Sequence, residues 1–386
     1  MLSSLTIKNF KSYAEAVIPL ASMTILTGPD AAGRSNALEA FRLLSLLARG
    51  MRLDDIGRMI QNGEAHIRGR AADLFNDMAE GLAISCRLDD PWSIWNEIML
   101  ETGMQDDRLV LQGEFVSSFS ECRFIPIDTL ASKDINAITY IFREQLRNIV
   151  FLAPSPASMR GYSFAGCGEL QEDGSNLSGV LAKLCRQEQM KKSLLDFVSA
   201  LCEPSITNIS FITTERNDVM VRLHESFGNK EQKIDAPLLS DGTLRVLAVG
   251  AVLLSAPENA LVVIEEADSG IYPGRAGFLA KQIQDIASSR NLRVLISSNN
   301  QALLNAVPDA ALRDVLYCYR NREDGNSRLV RLGDLRRFPE LTALGSLGDL
   351  MAGSRLDEFL NDTGTEADRR QAALAWLDEL RRETEA

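Results

Sequence analysis

The stretch Thr24-Ile-Leu-Thr-Gly-Pro-Asp-Ala-Ala-Gly-Arg-Ser-Asn-Ala-Leu-Glu-Ala-Phe-Arg-Leu-Leu44 is the one around which the chain is organised. An apolar run stops at Gly28, and from Gly33 onward Leu38, Phe41, Leu44 and Leu47 recur at helical spacing until Gly50. That pattern predicts a strand, a tight loop and a helix. The spacing Gly28-x4-Gly33-Arg34-Ser35 is that of a phosphate-binding loop, with arginine where lysine is usual. In such a loop, here Gly28, Pro29, Asp30, Ala31, Ala32, Gly33, Arg34, Ser35 and Asn36, backbone N–H groups curl around phosphates and the helix N-terminus adds its positive dipole end. Arg34 would supply the cation and Ser35 a hydroxyl ligand for Mg2+. A Gly-rich turn also occurs where no phosphate binds, so the rest of the chain has to decide.

Upstream, Leu2 to Phe10 and Tyr13 to Leu20 alternate as paired half-buried strands, and Met23 to Thr27 reads as a buried one. Downstream, short alternating runs (Ala65–Arg68, Leu82–Leu88, Trp92–Leu100, Arg108–Phe115) separated by Asp, Gly and Pro turns predict an antiparallel flanking sheet. Trp92 and Trp95 read as packing residues, because the neighbouring Asp89, Asp90 and Glu97 oppose nucleic acid. Ile135 to Leu146 reads as a helix, Asn148 to Leu152 as a buried strand, and Ala153 to Gly168 as a loop carrying Arg160. Leu177–Leu184 and Ser193–Leu201 read as helices, with Asn176 or Ser175 as a cap.

Strands at Ile206–Thr213 and Asp218–Leu223 lead into Ser240-Asp-Gly-Thr243, where Ser240 and Asp241 are natural N-caps of a buried helix over Val246 to Leu254. That helix start is a second anion site. Ala260 to Ile264 reads as a buried parallel strand ending in Glu265-Glu266, and adjacent acids at such a strand end need a cation, a metal or water. A helix to about Ser289, a strand over Leu292 to Ile296 and a further helix after Ser297-Ser-Asn-Asn-Gln follow. Leu332–Arg337, Ser346–Met351, Leu356–Leu360 and Glu366–Glu383 read as C-terminal helices.

The chain of 386 residues, 45% hydrophobic and 24% charged, is ordinary for a globular protein with two or three subdomains. A net charge of −12 argues against general binding to nucleic-acid backbones. The N-terminus lacks a signal-peptide pattern and no apolar run is long enough to span a bilayer, so a cytoplasmic location away from membranes is expected. The six cysteines (Cys86, Cys122, Cys167, Cys185, Cys202, Cys318) form no C-x-x-C pair and only His66 and His224 are histidines, which argues for packed, reduced thiols over structural zinc.

Taken together, the loop at Gly28–Ser35, the segment Leu239-Ser-Asp-Gly-Thr-Leu-Arg, the segment Leu261-Val-Val-Ile-Glu-Glu-Ala-Asp-Ser-Gly-Ile-Tyr-Pro and Val294-Leu-Ile-Ser-Ser-Asn-Asn resemble, in that order, the AAA family ATPases of the ABC/SMC/RecF/OLD type. The resemblance implies an α/β P-loop NTPase fold of ABC/SMC head type: a mixed core sheet, a flanking antiparallel sheet, a helical lid and C-terminal helices. It implies an N-terminal ATPase lobe at 1–130, a lid at 131–204, a C-terminal lobe with signature, Walker B and switch segments at 205–331, and a helical region at 332–386. It also implies roles: Gly33, Arg34 and Ser35 as Walker A, Glu265 as the Mg2+-coordinating acid, and Glu266 as the general base for attack on the γ-phosphate of ATP. Ser240, Asp241, Gly242 and Thr243 match the signature that caps the ATP of a second subunit in a sandwiched homodimer. Asp268 and Ser269 match the D-loop, and Asn299 stands at the switch position.

Four departures bear on activity: Arg34 for lysine, Asp30 inside a phosphate loop, Glu265 for aspartate and Asn299 for histidine. The interval from Asn36 to Leu239 has no room for long coiled arms, and compact relatives of this kind imply a protein effector partner in bacterial anti-phage defence, by analogy. Three readings stay open: a slow ATPase controlling an effector, a degenerate non-hydrolysing scaffold for a nuclease or toxin, and a RecF-like DNA-repair ATPase.

Overall fold

The computed structural model describes residues 1–360, except 78, 90–94, 107, 119–122, 229 and 353–354. Asp90, Trp92, Cys122 and the helix read at Glu366–Glu383 therefore lie outside the described residues. A six-stranded core sheet runs in the order β16 (Ser327–Arg331), β15 (Leu316–Arg320), β3 (Met23–Thr27), β14 (Arg293–Ser297), β13 (Leu261–Glu265) and β8 (Ile149–Leu152). All neighbours pair in parallel except β15 and β16. The sheet is mixed, as expected, and its parallel strands are buried on both faces.

Side chains alternate along these strands between two apolar cores. Met23, Ile25, Val262, Ile264, Val294 and Ile296 belong to one core, which also takes in α5 (Leu177–Leu184), α6 (Glu188–Leu201), α7 (Asp241–Ser255) and α8 (Ala276–Ser289). Leu26, Leu261, Val263, Leu295 and Leu316 belong to the other, with α1 (Arg34–Ala48), α2 (Leu53–Gln61) and α3 (Ser132–Arg147). Covering that second core is an antiparallel sheet in the order β2 (Tyr13–Pro19), β1 (Leu2–Phe10), β4 (Gly81–Leu88), β5 (Trp95–Gln105), β6 (Arg108–Ser118) and β7 (Ile125–Pro126). A third sheet joins β10 (Ser205–Thr213), β11 (Asp218–Phe227) and β12 (Lys230–Asp235), with β9 (Ser163–Phe164) paired to β11.

The register of the core sheet decides where chemistry can occur. Ser297 at the end of β14 pairs with Leu26 on one side and with Glu265 on the other. Two interstrand spacings therefore separate the backbones of Leu26 and Glu265, about 10 Å in all. The phosphate-type loop, the twin acids and the Asn299 segment thus leave the sheet along one edge, where open α/β sheets place their ligands.

Several elements differ from the sequence expectation. Ala65–Arg68 is a loop and not a strand: its bonds run to Lys11, in the turn between the first two strands, which donates to the Arg68 carbonyl, and to Glu39 of α1, whose carboxylate accepts from Arg68. The loop after β8 contains the short helix α4 (Pro156–Met159) and β9. Asn176 precedes α5 without capping it; its amide instead bridges Gln171 N and Glu169 O. At the C-terminal end Leu332–Asp334 is only a 3-10 turn, followed by helices Phe338–Ala343, Leu347–Ala352 and Leu356–Leu360.

Phe41 of α1 is fully buried in the core beneath the sheet edge. Its replacement by alanine should lower the unfolding free energy by roughly 3–5 kcal/mol, measured by urea denaturation followed by circular dichroism.

Candidate functional site

The loop between β3 and α1 is held by the backbone contacts its shape requires. Gly33 opens α1 with φ 116°, and a Cβ there would come within 2.3 Å of Ser327 Oγ, so the loop can close over β16 only without a side chain. Ser327 Oγ and Cys318 Sγ both donate to Ala32 O, Tyr13 OH donates to Gly33 O at 3.1 Å, and Arg320 Nε donates to Ala31 O at 3.1 Å. Burial pushes the Tyr13 phenol and the Cys318 thiol upward, which keeps both as neutral donors. With the loop carbonyls occupied in this way, the N–H groups that open the helix remain, and no side chain caps them.

The charges of the loop already have partners. Arg34 Nη2 lies 3.1 Å from Asp30 Oδ1, which also accepts from Asn299 Nδ2 at 3.2 Å. The Asn299 carbonyl oxygen in turn accepts from Gly28 N at 3.3 Å and Thr27 Oγ1 at 3.4 Å. Asn299 is therefore part of the loop scaffold.

Two clefts meet at Ser35. One, of about 770 Å³, runs along the loop past Lys11, Ser12, Arg34, Asn76 and Arg320. The other, of about 720 Å³, is lined by Ser35, Glu39, Arg42, Arg68, Glu172 and Glu265. Ser35, Glu39 and Arg42 follow one another at i, i+4 and i+7 and so share a face of α1. Buried Glu39 binds both Lys11 and Arg68, and Arg68 Nη2 reaches Asn36 Oδ1 at 3.1 Å.

Arg42 is the most enclosed cation in the second cleft. Only 7% exposed, it stacks 4.5 Å from the Phe151 ring centroid and places Nη2 2.6 Å from Glu265 Oε1 and 2.5 Å from Glu172 Oε1. Burial disfavours its charge, but the two carboxylates outweigh that and hold the guanidinium above its ordinary value. Glu266, the next residue, is exposed and adopts φ 50°, a left-handed conformation uncommon outside glycine, with its N–H bonded to Ser297 O at 3.0 Å. Among the described residues no three His, Cys, Asp or Glu side chains are grouped to hold a metal. Mg2+ here would rely on Ser35, whose hydroxyl has no hydrogen-bond partner among the described residues, on Glu265 and on phosphate oxygens. That donor set suits a hard cation which keeps several waters.

The signature residues lie elsewhere. Ser240 caps α7 by accepting from Thr243 N at 3.1 Å, and Arg160 ties down the preceding turn, donating to Leu239 O at 2.7 Å and Pro237 O at 2.8 Å and pairing with Asp241. Gly242 packs on the segment after β13; a Cβ there would lie 2.3 Å from Gly270 O. Asp268 in that segment is buried and Ser269 half-buried. Ser240, Gly242 and Thr243 line a separate cleft of about 160 Å³ with Gly270 and Tyr272. Within one chain, then, the loop meets Glu265, and neither cleft at Ser35 includes the signature residues.

Residues 167–305 match the family model described as "AAA domain, putative AbiEii toxin, Type IV TA system". Among solved structures, an SMC head bound to the C-winged helix domain of ScpA is 14% identical, with 85% of this chain and 97% of that one covered and a TM-score of 0.55. An Smc head with an extended coiled coil, bound to the C-terminal domain of ScpA and derived from Pyrococcus furiosus, is 13% identical, with 89% and 99% covered and a TM-score of 0.50. No curated protein matches the sequence. The fold is that of an SMC head domain, in agreement with the fold that the resemblance carried by the motifs implies.

Sequence reading missed Lys11, Arg42, Arg68 and Glu172, which enter the site through sheet order and helix phase. The one available signal was Arg42 at i+7 from Ser35. Gly33→Ala should strain the loop and lower stability by roughly 1–3 kcal/mol in a urea titration.

Proposed function

We propose that this chain binds ATP with Mg2+ at the loop after β3, hydrolyses it slowly, and dimerises around it to control a protein effector. One observation carries the reading: Ser35 at the start of α1 and Glu265 at the end of β13 line a single cleft. Mg2+, when bound, would neutralise charge developing on the phosphates. Loop N–H groups and Arg34 would hold the phosphates, Ser35 and Glu265 would orient the cation, and exposed Glu266 would accept the proton of the attacking water.

Dimerisation is supported by the separation of Ser240–Thr243 from the loop, which leaves that helix start free to complete the site of a second copy. Leu238, two residues before Ser240, and Tyr272, which shares the Ser240 cleft, are 76% and 75% exposed and give this surface the apolar character of an interface. The SMC heads named above are bound to ScpA, and the family model's description names a toxin. Both fit an effector partner, which we place in anti-phage defence. A RecF-like DNA role is less favoured at a net charge of −12.

The competing reading, a non-hydrolysing scaffold, is favoured by the pairing of Arg34 with Asp30. Two variants separate them. Glu266→Gln should reduce ATP turnover at least about 100-fold while nucleotide-dependent dimers persist in analytical ultracentrifugation; unchanged turnover removes Glu266 from the mechanism. Asp30→Asn should tighten ATP about fivefold in a calorimetric titration, the scale of one like-charge contact of about 1 kcal/mol. Unaltered affinity would mean that Asp30 does not face the phosphates.

A further inference from the structure

We propose that Arg42 is a resident counter-cation, held between Glu265 and Glu172, which limits how tightly the second cleft takes a divalent ion. The inference rests on the nucleotide reading only for its consequence in the catalytic cycle. The contact itself is a feature of the chain alone.

Glu265 ends β13, and Glu172 is held beside the end of the neighbouring strand β8, where Ala153 N donates to Glu172 O at 2.8 Å. Both carboxylates meet one guanidinium nitrogen, Nη2 of Arg42. Two carboxylates bound to the same nitrogen are close enough to repel strongly, so without Arg42 the pair would demand a cation, a proton or separation. The guanidinium is fixed from behind by the Phe151 ring and is nearly inaccessible, whereas the carboxylates remain 31% and 20% exposed toward the cleft. An entering ion therefore meets Glu265 already half-neutralised. Glu265 is also one methylene longer than the aspartate expected at this position, and its Oε1 is the atom Arg42 holds. Oε1 is thus withdrawn from metal coordination unless Arg42 transfers its bond wholly to Glu172.

Glu172 acts here as the alternative partner that lets Arg42 release Glu265. Arg42 and Glu172 are positioning residues: they touch neither nucleotide nor metal but set the availability of a group that does. Glu172 also lies shortly before α5, which packs on the signature helix α7, so the exchange occurs on a segment continuous with the surface proposed to face a second copy.

The direct test is titration of Mn2+ into the full chain without nucleotide, followed by electron paramagnetic resonance. Arg42→Met keeps the bulk of the side chain and exposes the carboxylate pair, and should bind Mn2+ at least about tenfold more tightly than the original protein. Arg42→Lys, which retains the charge, should stay within about threefold of it. Arg42→Met with affinity equal to or weaker than the original overturns the proposal, as does Arg42→Lys with the full gain.

Should Arg42→Met fail to fold, Glu172→Gln decides, because it preserves the Arg42–Glu265 pair. Arg42 then serves Glu265 alone, and the Mg2+ concentration needed for half-maximal binding of a fluorescent ATP analogue should rise about threefold or more. No rise overturns the inference. An analogue that fails to bind the original protein at any Mg2+ concentration counts against the nucleotide reading itself, and Mn2+ titration of Glu172→Gln without nucleotide then decides: affinity about threefold or more below the original supports the role of Arg42, and unchanged affinity overturns it.

Discussion

The parallel register of three strands is the constraint on which the site depends. With β14 seated between β3 and β13, and Ser297 level with both Leu26 and Glu265, the loop at Gly28–Ser35 and the acids at 265–266 emerge side by side although more than half the chain separates them. The same register sends Asn299 out between them, where its amide braces Gly28, Thr27 and Asp30. Burial on both faces fixes that register: a slip of one residue in β13 would exchange the two apolar cores that Val262 and Val263 serve.

Around this edge the chain has neutralised its own charges. Lys11 and Arg68 share Glu39, Arg34 holds Asp30, and Arg42 holds Glu265 and Glu172. Enclosed carboxylates and cations left single would be destabilising by several kcal/mol each, so pairing is what permits so many charges near one cleft. On the function proposed above, the consequence is competition: a triphosphate would have to draw Arg34 from Asp30, and a divalent ion would have to share Glu265 with Arg42, each exchange swapping one charge-assisted contact for another.

Much of this arrangement was legible in the sequence, for physical reasons particular to each element. β3, β13 and β14 are short runs with apolar centres, and runs of that length ending in Gly28, Glu265 and Ser297 fit parallel strands covered on both faces. The cap at Ser240 could be read from the polar residue before a buried helix. By contrast, Tyr317-Cys-Tyr-Arg320 of β15 and the charged β12 carry no clear period, since one is shielded by α1's loop and the other is an exposed edge. Ala65–Arg68 imitates a strand because Ile67 is buried and Arg68 reaches Glu39, an alternation made by a loop crossing helix α1. Arg42 and Glu172 were invisible as a pair because only the placement of β8 beside β13 brings them together.

The proposed site requires one ligand to join the two strand ends. Calorimetric titration of ATP into the full chain, with and without Mg2+, for the original protein and for Ser35→Ala, tests this most directly. Mg2+ should strengthen ATP binding to the original protein, and Ser35→Ala should abolish the Mg2+-dependent gain while still binding metal-free ATP. Identical titrations for the two proteins, or no heat of binding from the original protein, would contradict it.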